Sequence, residues 1–261
     1  MTRVRGLPGA RITYVVAGDG PPVVLIHGWA CRRGDFAPII DDLACDYRVL
    51  ALDLPWHGDS TSHIHDWPMV ELGALVAAVA ADEGMRDCAL VGHSMGAAVA
   101  VEAMLAGAGH RVVALDGLTF MHMYPRLEAD AADQVLAPFR ADLPGAVRAL
   151  CRRAGAPGTD ALLLERIADE MGQIDPRAGV EMLAALLDWD MDAALTRVDE
   201  RGGSITALAA RALLSPAAVD RYGHRFQICP VDLGGHFYLR EDPAGTTAAI
   251  RAVLSAGSPN D

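Results

Sequence analysis

The sequence contains no lysine, and all 22 basic residues of the 261-residue chain are arginine. Without a lysine amine the chain cannot form a Schiff base, cannot hold pyridoxal phosphate in its usual linkage and cannot build a phosphate-binding P-loop. The 34 acidic residues outnumber the basic ones and give a net charge of −12. This balance argues against nucleic acid as a partner, because its phosphates require a basic surface.

Cysteines are few and odd in number, at positions 31, 45, 88, 151 and 229. Their spacing fits neither a metal site nor a redox pair, so we expect reduced thiols and no bound metal. Long apolar segments are also missing: the longest run, Leu72 to Ala81, is too short to cross a bilayer. The N-terminal residues lack the apolar core of a signal peptide. We therefore expect a cytoplasmic protein that does not bind membranes.

Short apolar segments typical of buried strands alternate with segments of helical periodicity. The predicted strands are residues 12–17, 23–26, 47–52, 88–92 and 111–115, and the predicted helices are 36–44, 69–83 and 95–108. Such alternation predicts an α/β fold, with a mostly parallel, doubly wound sheet and helices on both faces. Ligands bind such a sheet at the carboxyl ends of its strands.

Almost ninety residues separate the strand that ends at Leu115 from the next one, near Ile205, which is too long for a simple crossover. Amphipathic helical patterns fill this interval at 129–139, 143–154, 159–171, 177–189 and 191–198. We therefore predict an inserted helical cap over residues 119–200, between two parts of the core at 1–118 and 201–261. Helical caps close over strand ends and shape the substrate pocket.

One strand leads into Gly92-His93-Ser94-Met95-Gly96, which is followed at once by an alanine-rich helix. Gly-x-Ser-x-Gly between a strand and a helix predicts a nucleophile elbow, a sharp turn that exposes the serine hydroxyl above the sheet. Gly92 and Gly96 leave room where a β-carbon would meet a neighbouring strand or helix. The alternative is a glycine-rich turn in which Ser94 has no chemical role.

A serine hydroxyl is a weak nucleophile near neutral pH and needs a base and an oxyanion site. Near the C-terminus, Val231 to Phe237 is typical of a short strand followed by a loop that presents His236. Upstream, the apolar run 23–26 breaks at His27-Gly28-Trp29, as a central strand does where it enters a loop. Backbone N–H groups of that loop could face Ser94.

These segments, in this order, resemble the α/β-hydrolase superfamily over nearly the whole chain. The matching residues are His27 to Trp29, Asp53 to Ser60 for a D-x-x-G-H-G-x-S loop from which Trp56 departs, Gly92 to Gly96, and Gly235 to Phe237. The resemblance implies Ser94 as nucleophile, His236 as base, and an oxyanion hole made by the backbone N–H groups of Trp29 and Met95. For contact with the substrate we select His27, Gly28, His93, Phe120, His122, Tyr124 and Trp189. The aromatic members of the cap entry could instead belong to the core of the cap.

The acid that would orient the histidine is missing from its usual position in the sequence. Relatives usually carry it after the cap in a segment resembling I-x-G-x-x-D, but the corresponding residues 204–214 contain no acid. A histidine base needs a carboxylate to fix its tautomer and stabilise the imidazolium. We predict Asp116 for this role, because it follows the strand next to the nucleophile strand. Asp232 and Asp220 are weaker candidates, and Asp116 could alternatively only cap the loop into the cap.

Taken together, these residues predict a hydrolase that cleaves a carboxylic ester or lactone of a small, largely apolar substrate through an acyl-enzyme, without a cofactor. Alternatives on the same fold are a carbon–carbon bond hydrolase and a cofactor-free dioxygenase. A different class is a ligand-binding protein that has lost turnover. The expected partner is a small-molecule substrate, and a homodimer is left open.

Overall fold

A single nine-stranded sheet organises the chain, of which the computed structural model describes residues 2–256. Its strands are β1 (Thr2–Leu7), β2 (Ala10–Ala17), β3 (Pro22–Ile26), β4 (Arg48–Leu52), β5 (Thr61–Ser62), β6 (Ala89–His93), β7 (Arg111–Leu115), β8 (Ser204–Ala210) and β9 (Gln227–Val231). The order is β1-β2-β4-β3-β6-β7-β8-β9, with β5 paired to β2. β1 and β2 are antiparallel, and every pair from β4 to β9 is parallel.

Helices connect the strands and pack on both faces of the sheet. They are α1 (Ala37–Leu43), α2 (Met69–Asp82), α3 (Met95–Leu105), α4 (Ala129–Ala141), α5 (Leu143–Arg153), α6 (Ala161–Met171), α7 (Pro176–Asp188), α8 (Met191–Glu200), α9 (Pro216–Tyr222), α10 (Tyr238–Glu241) and α11 (Pro243–Ser255), with a short 3₁₀ helix at Arg33–Phe36. None of them is both long enough and apolar enough to span a bilayer, within the part of the chain described.

Successive strand side chains point to opposite faces of the sheet, and this alternation divides the core in two. In β3, Val24 and Ile26 join a large apolar cluster with α2 and α3. Val23 and Leu25 join a second cluster with α1, α10 and α11. The predicted α/β fold with a mostly parallel, doubly wound sheet is therefore confirmed.

Five helices, α4 to α8, lie between β7 and β8, and we refer to them as the insertion. Four of them begin where an aspartate side chain accepts a hydrogen bond from a first-turn backbone N–H, at Asp142, Asp160, Asp175 and Asp190. Such caps satisfy amides that have no partner within the helix. The five helical segments predicted from the sequence are present, with ends that differ by a few residues.

Candidate active site

Ser94 lies at the turn between β6 and α3, at the carboxyl end of the sheet. Its backbone has φ 53° and ψ −122°, a conformation that costs a non-glycine residue about 1–3 kcal/mol. Neighbouring elements hold it there: the Ser94 N–H donates to the Leu115 carbonyl at 3.0 Å. A β-carbon on Gly92 would overlap the Gly96 carbonyl, and one on Gly96 would overlap the Ile26 carbonyl. These glycines let the elbow approach strand and helix backbone closely.

His236 and Asp116 are brought together from positions 120 residues apart in the chain. The Nδ1 atom of His236 lies 2.6 Å from Oδ2 of Asp116. The other carboxylate oxygen of Asp116 accepts the Ala210 backbone N–H at 2.8 Å, and only 1% of the residue is exposed. Asp116 follows β7 and Ala210 ends β8, so the neighbouring strand fixes the carboxylate while it faces the imidazole.

The other candidate acids lie elsewhere. Asp232 follows β9, and its carboxylate is mostly exposed and accepts the Arg211 Nε–H at 2.8 Å. Asp220 is an exposed residue of α9. The segment 204–214 that lacks an acid contains β8, and its contribution is the Ala210 N–H that holds Asp116.

Two backbone N–H groups near Ser94 have no partner within the described part of the chain. Gly28 packs against the elbow so closely that a β-carbon there would lie 3.0 Å from Cβ of Ser94. The N–H groups of Trp29, the next residue, and of Met95, the first residue of α3, donate to no atom of residues 2–256. Free amides beside a serine, one of them at a helix N-terminus, can hold a developing oxyanion.

The Trp29 side chain fixes its loop to the insertion. Its indole N–H donates to the Gly179 carbonyl of α7 at 2.7 Å. Its ring meets Phe139 of α4 edge-on, with the ring centroids 5.3 Å apart. The insertion therefore helps to set the position of the Trp29 amide.

His27 and His57 are buried histidines that link the loop after β3 to the loop after β4. His27 Nδ1–H donates to the Gly28 carbonyl at 2.8 Å, and its Nε2 accepts the Leu54 N–H at 2.9 Å. In His57, Nε2 accepts the Ala30 N–H at 3.1 Å. Burial lowers the pKa of His27 to about 4 and that of His57 to about 3, so both are neutral near pH 7.

His93, which directly precedes the nucleophile candidate, supports the loop of His236. Its Nε2–H donates to the His236 carbonyl at 2.9 Å, and the two rings lie 4.8 Å apart. Burial, and secondarily the charge of His236, lower the pKa of His93 to about 3. The neutral ring thus braces the backbone of the histidine base candidate.

A cavity of about 860 Å³ opens above Ser94 and His236, between the sheet and the insertion. Three of the seven residues selected for substrate contact, His93, Phe120 and His122, line it. Most of the wall is apolar. Lining residues that the selection omitted include Met121, Met123, Val135, Phe139, Leu183, Leu186, Ala146, Gln134 and Arg153.

The other four selected residues do not line this cavity, and their contact with substrate stays a prediction. His27 is buried and accepts the Leu54 N–H of the loop after β4, and Gly28 packs against Ser94. The Trp189 indole donates to buried Glu102 at 2.8 Å, and Tyr124 packs edge-on against Trp189. Tyr124 and Trp189 therefore belong to the base of the insertion, where their buried rings pack against each other.

No cluster of three or more His, Cys, Asp or Glu side chains suited to a metal ion occurs within residues 2–256. The cysteines of the described chain are free thiols, and burial raises the pKa of Cys31, Cys88 and Cys151. Polar groups at the cavity include the Ser94 hydroxyl and the His236 imidazole held by Asp116, and the free N–H groups of Trp29 and Met95 lie beside Ser94.

Comparison with known proteins gives consistent matches. A model described as "Alpha/beta hydrolase family" matches residues 23–250. A pimeloyl-[acyl-carrier protein] methyl ester esterase of Stenotrophomonas maltophilia is 28% identical over 94% of this chain and 97% of its own length. A protein of the same name from Methylococcus capsulatus is 33% identical over 59% of this chain and 48% of its own length.

Other curated relatives match over a smaller part of their length, such as 25% of an acetyltransferase component from Cupriavidus necator. The chain thus spans at most about half of the length of the relatives with the strongest matches. Among solved structures, a bromoperoxidase of Bacillus anthracis superposes with a TM-score of 0.81 and 15% identity, covering 97% of this chain and 99% of that one. At that identity the likeness concerns the fold alone.

Proposed function

Because this chain belongs to the alpha/beta hydrolase family, we propose that it hydrolyses a carboxylic ester through an acyl-enzyme formed on Ser94. The observation that carries the proposal is the meeting of a strained serine and an aspartate-bound histidine at one cavity. The names of the two methyl ester esterases support the ester class. A lactone, as a cyclic ester, fits the same chemistry.

In the proposed reaction, Ser94 Oγ attacks the acyl carbon while His236 Nε2 takes the hydroxyl proton. Asp116 holds the proton on Nδ1 and stabilises the imidazolium that forms. The carbonyl oxygen becomes an oxyanion that the Trp29 and Met95 N–H groups stabilise, each by about 3 kcal/mol in the transition state. The imidazolium then protonates the leaving alcohol. Water, deprotonated by His236, releases the acid and restores Ser94.

We further propose that the insertion, within residues 119–200, acts as a cap over the site. Residues 119–200 together supply most of the cavity wall, including Phe139, Leu183 and Leu186. Such a wall excludes water from the acyl-enzyme and favours an aliphatic or aromatic acyl part. The substrate that fits is a small, largely apolar molecule. The protein needs no cofactor for this chemistry.

The proposal is tested with a fluorophosphonate probe and a panel of p-nitrophenyl and methyl esters, with oxygen uptake followed in parallel on aromatic heterocycles. Labelling of Ser94 together with ester turnover supports the hydrolase. Oxygen uptake without labelling supports the cofactor-free dioxygenase. Cleavage of diketones in preference to esters supports the carbon–carbon hydrolase. Tight ligand binding with no turnover in any assay supports a binding protein.

A further inference from the structure

Most arginines of this acidic chain face a carboxylate. Arg11, Arg86 and Arg153 differ, because neither a carboxylate nor a carbonyl within residues 2–256 accepts a bond from their guanidinium groups. Of these three, only Arg153 lines the cavity that contains Ser94. Its neighbour in sequence, Arg152, pairs with Glu165 at 2.9 Å and does not line the cavity. An unpaired cation at a substrate cavity requires an explanation in a protein of net charge −12.

Arg153 is the last residue of α5, and the chain continues directly into contact with the loop of His236. The carbonyl of Ala154 accepts the His236 backbone N–H at 2.7 Å. That loop is also fixed by Glu241, whose carboxylate accepts the Gly235 N–H at 2.9 Å. The backbone that carries Arg153 is therefore tied to the backbone that carries the proposed base.

Two aromatic side chains of the cavity wall, Phe120 and His122, lie near the proposed base. The Phe120 ring lies edge-on to His236 at 5.2 Å and to His122 at 5.7 Å between ring centroids. Burial lowers the pKa of His122, and the charges of Arg153 and His236 lower it further. His122 lines the same cavity as Arg153, and its lowered pKa favours the neutral ring.

No aspartate or glutamate lines the cavity, within the part of the molecule described. Arg153 is an exposed residue that lines this largely apolar cavity, and no acid of the wall pairs with it. A guanidinium presents a planar fork of donors that matches a carboxylate with two parallel hydrogen bonds.

We propose that Arg153 binds a carboxylate of the substrate, at the end remote from the scissile ester, so that the preferred substrates are half-esters of aliphatic dicarboxylic acids. This inference rests on the proposed ester hydrolysis at Ser94. The apolar wall holds the methylene chain between the two ends. Arg153 is then a specificity-determining residue that acts by fixing the register of the acyl chain relative to Ser94.

The test compares kcat/KM for monoesters of dicarboxylic acids from succinate to suberate with esters of the same length that end in a neutral amide. The wild-type protein is expected to prefer the carboxylate series by about tenfold or more at its best chain length. Arg153→Gln should remove that preference, so that kcat/KM becomes nearly equal for the two series. Arg152→Gln is the matched control, because it removes an equal charge outside the cavity, and it should keep the preference.

Two outcomes separate this inference from the proposed function. Equal turnover of both series by the wild type, abolished by Ser94→Ala, would overturn the carboxylate site and leave the ester hydrolase standing. If no ester is turned over, calorimetry of free dicarboxylates with the wild type, Arg153→Gln and Arg152→Gln decides the inference. Binding weakened about tenfold by Arg153→Gln alone supports it, and equal or absent binding in all three proteins overturns it.

Discussion

Oδ2 of Asp116 lies 2.6 Å from Nδ1 of His236, while Oδ1 of the same carboxylate is held by the Ala210 N–H at 2.8 Å. The two oxygens therefore have different partners, and the carboxylate cannot rotate without losing one of them. Because Ala210 ends β8 and Asp116 follows β7, the sheet itself fixes the direction in which the carboxylate faces the imidazole.

Asp116→Asn should lower kcat by several orders of magnitude with little change in structure. The amide oxygen is expected to stay on the Ala210 N–H, since the amide nitrogen cannot accept that bond. The amide NH₂ then faces Nδ1 of His236 and forces the proton to Nε2, the tautomer that cannot accept the Ser94 proton. Steady-state kinetics on the best ester measures the loss, and circular dichroism checks the fold.

Asp232→Asn and Asp220→Asn are the controls for this variant. Asp232 is engaged with Arg211 at the surface, and Asp220 is exposed on α9. Each substitution should cost less than about tenfold, or about 1.4 kcal/mol of barrier. A severe loss in Asp232→Asn combined with a nearly active Asp116→Asn would refute the role of Asp116.

Ser94→Ala should abolish fluorophosphonate labelling and lower ester turnover by at least about 10⁴-fold. The variant removes one hydroxyl at a turn built for a small residue, so the melting temperature should change little. Ser215→Ala is a matched control, because Ser215 lines the same cavity as the residue before α9. Labelling that persists in Ser94→Ala, or disappears in Ser215→Ala, would contradict the acyl-enzyme on Ser94.

His93→Phe should lower kcat by about 10–100-fold while KM changes little, because the His236 loop loses the donor that fixes its carbonyl. His93→Gln, whose amide N–H can donate to the same carbonyl, should recover part of the loss. Comparing the two variants separates the effect of the hydrogen bond to the His236 carbonyl from the effect of side-chain size. If Phe and Gln behave alike, the hydrogen bond does not matter for the reaction.

The free energy of unfolding should decrease as the pH is lowered below about 6.5, where histidine becomes protonated in the unfolded chain. The folded pKa values of His27, His57 and His93 are lowered to about 4, 3 and 3, so the folded protein stays unprotonated while the unfolded chain binds protons. Each histidine then lowers the free energy of unfolding by about 1.4 kcal/mol per pH unit. For the three together the loss at about pH 5.5 is about 4 kcal/mol relative to about pH 7.5.

Urea unfolding at about pH 7.5 and about pH 5.5 measures this difference. The loss should continue down to the folded pKa values, from about pH 6.5 to about pH 4 for His27 and to about pH 3 for the other two. Equal unfolding free energies at the two pH values would show that these histidines do not titrate as their burial implies.

Ala146→Phe should shift the preferred acyl chain toward shorter esters. Ala146 is a half-buried residue of α5 on the cavity wall, and a phenyl ring there occupies volume that a long acyl chain needs. Rates on acetyl esters should change little, whereas rates on octanoyl esters should fall about tenfold or more. A variant that keeps the wild-type chain-length profile would indicate that the acyl chain takes another route through the cavity.

The sequence by itself determined the α/β fold and the positions of Ser94 and His236. Those features depend on local patterns: apolar strands, helical periodicity, and the glycines that a sharp strand-to-helix turn requires. The position of Asp116 could also be inferred from the sequence, because a residue at the carboxyl end of a parallel strand must lie at the same edge of the sheet as Ser94. These inferences need no knowledge of distant contacts.

Tertiary structure alone decided which side chains line the cavity. Tyr124 and Trp189 are aromatic residues of the kind that often line a pocket. In the structure they pack against each other, and the Trp189 indole donates a hydrogen bond to Glu102, so both lie at the base of the insertion. Arg152 and Arg153 are identical residues in the sequence, but only one of them meets a carboxylate and only the other reaches the cavity. Helix packing sets these differences, because the direction of a side chain depends on contacts that no local pattern encodes.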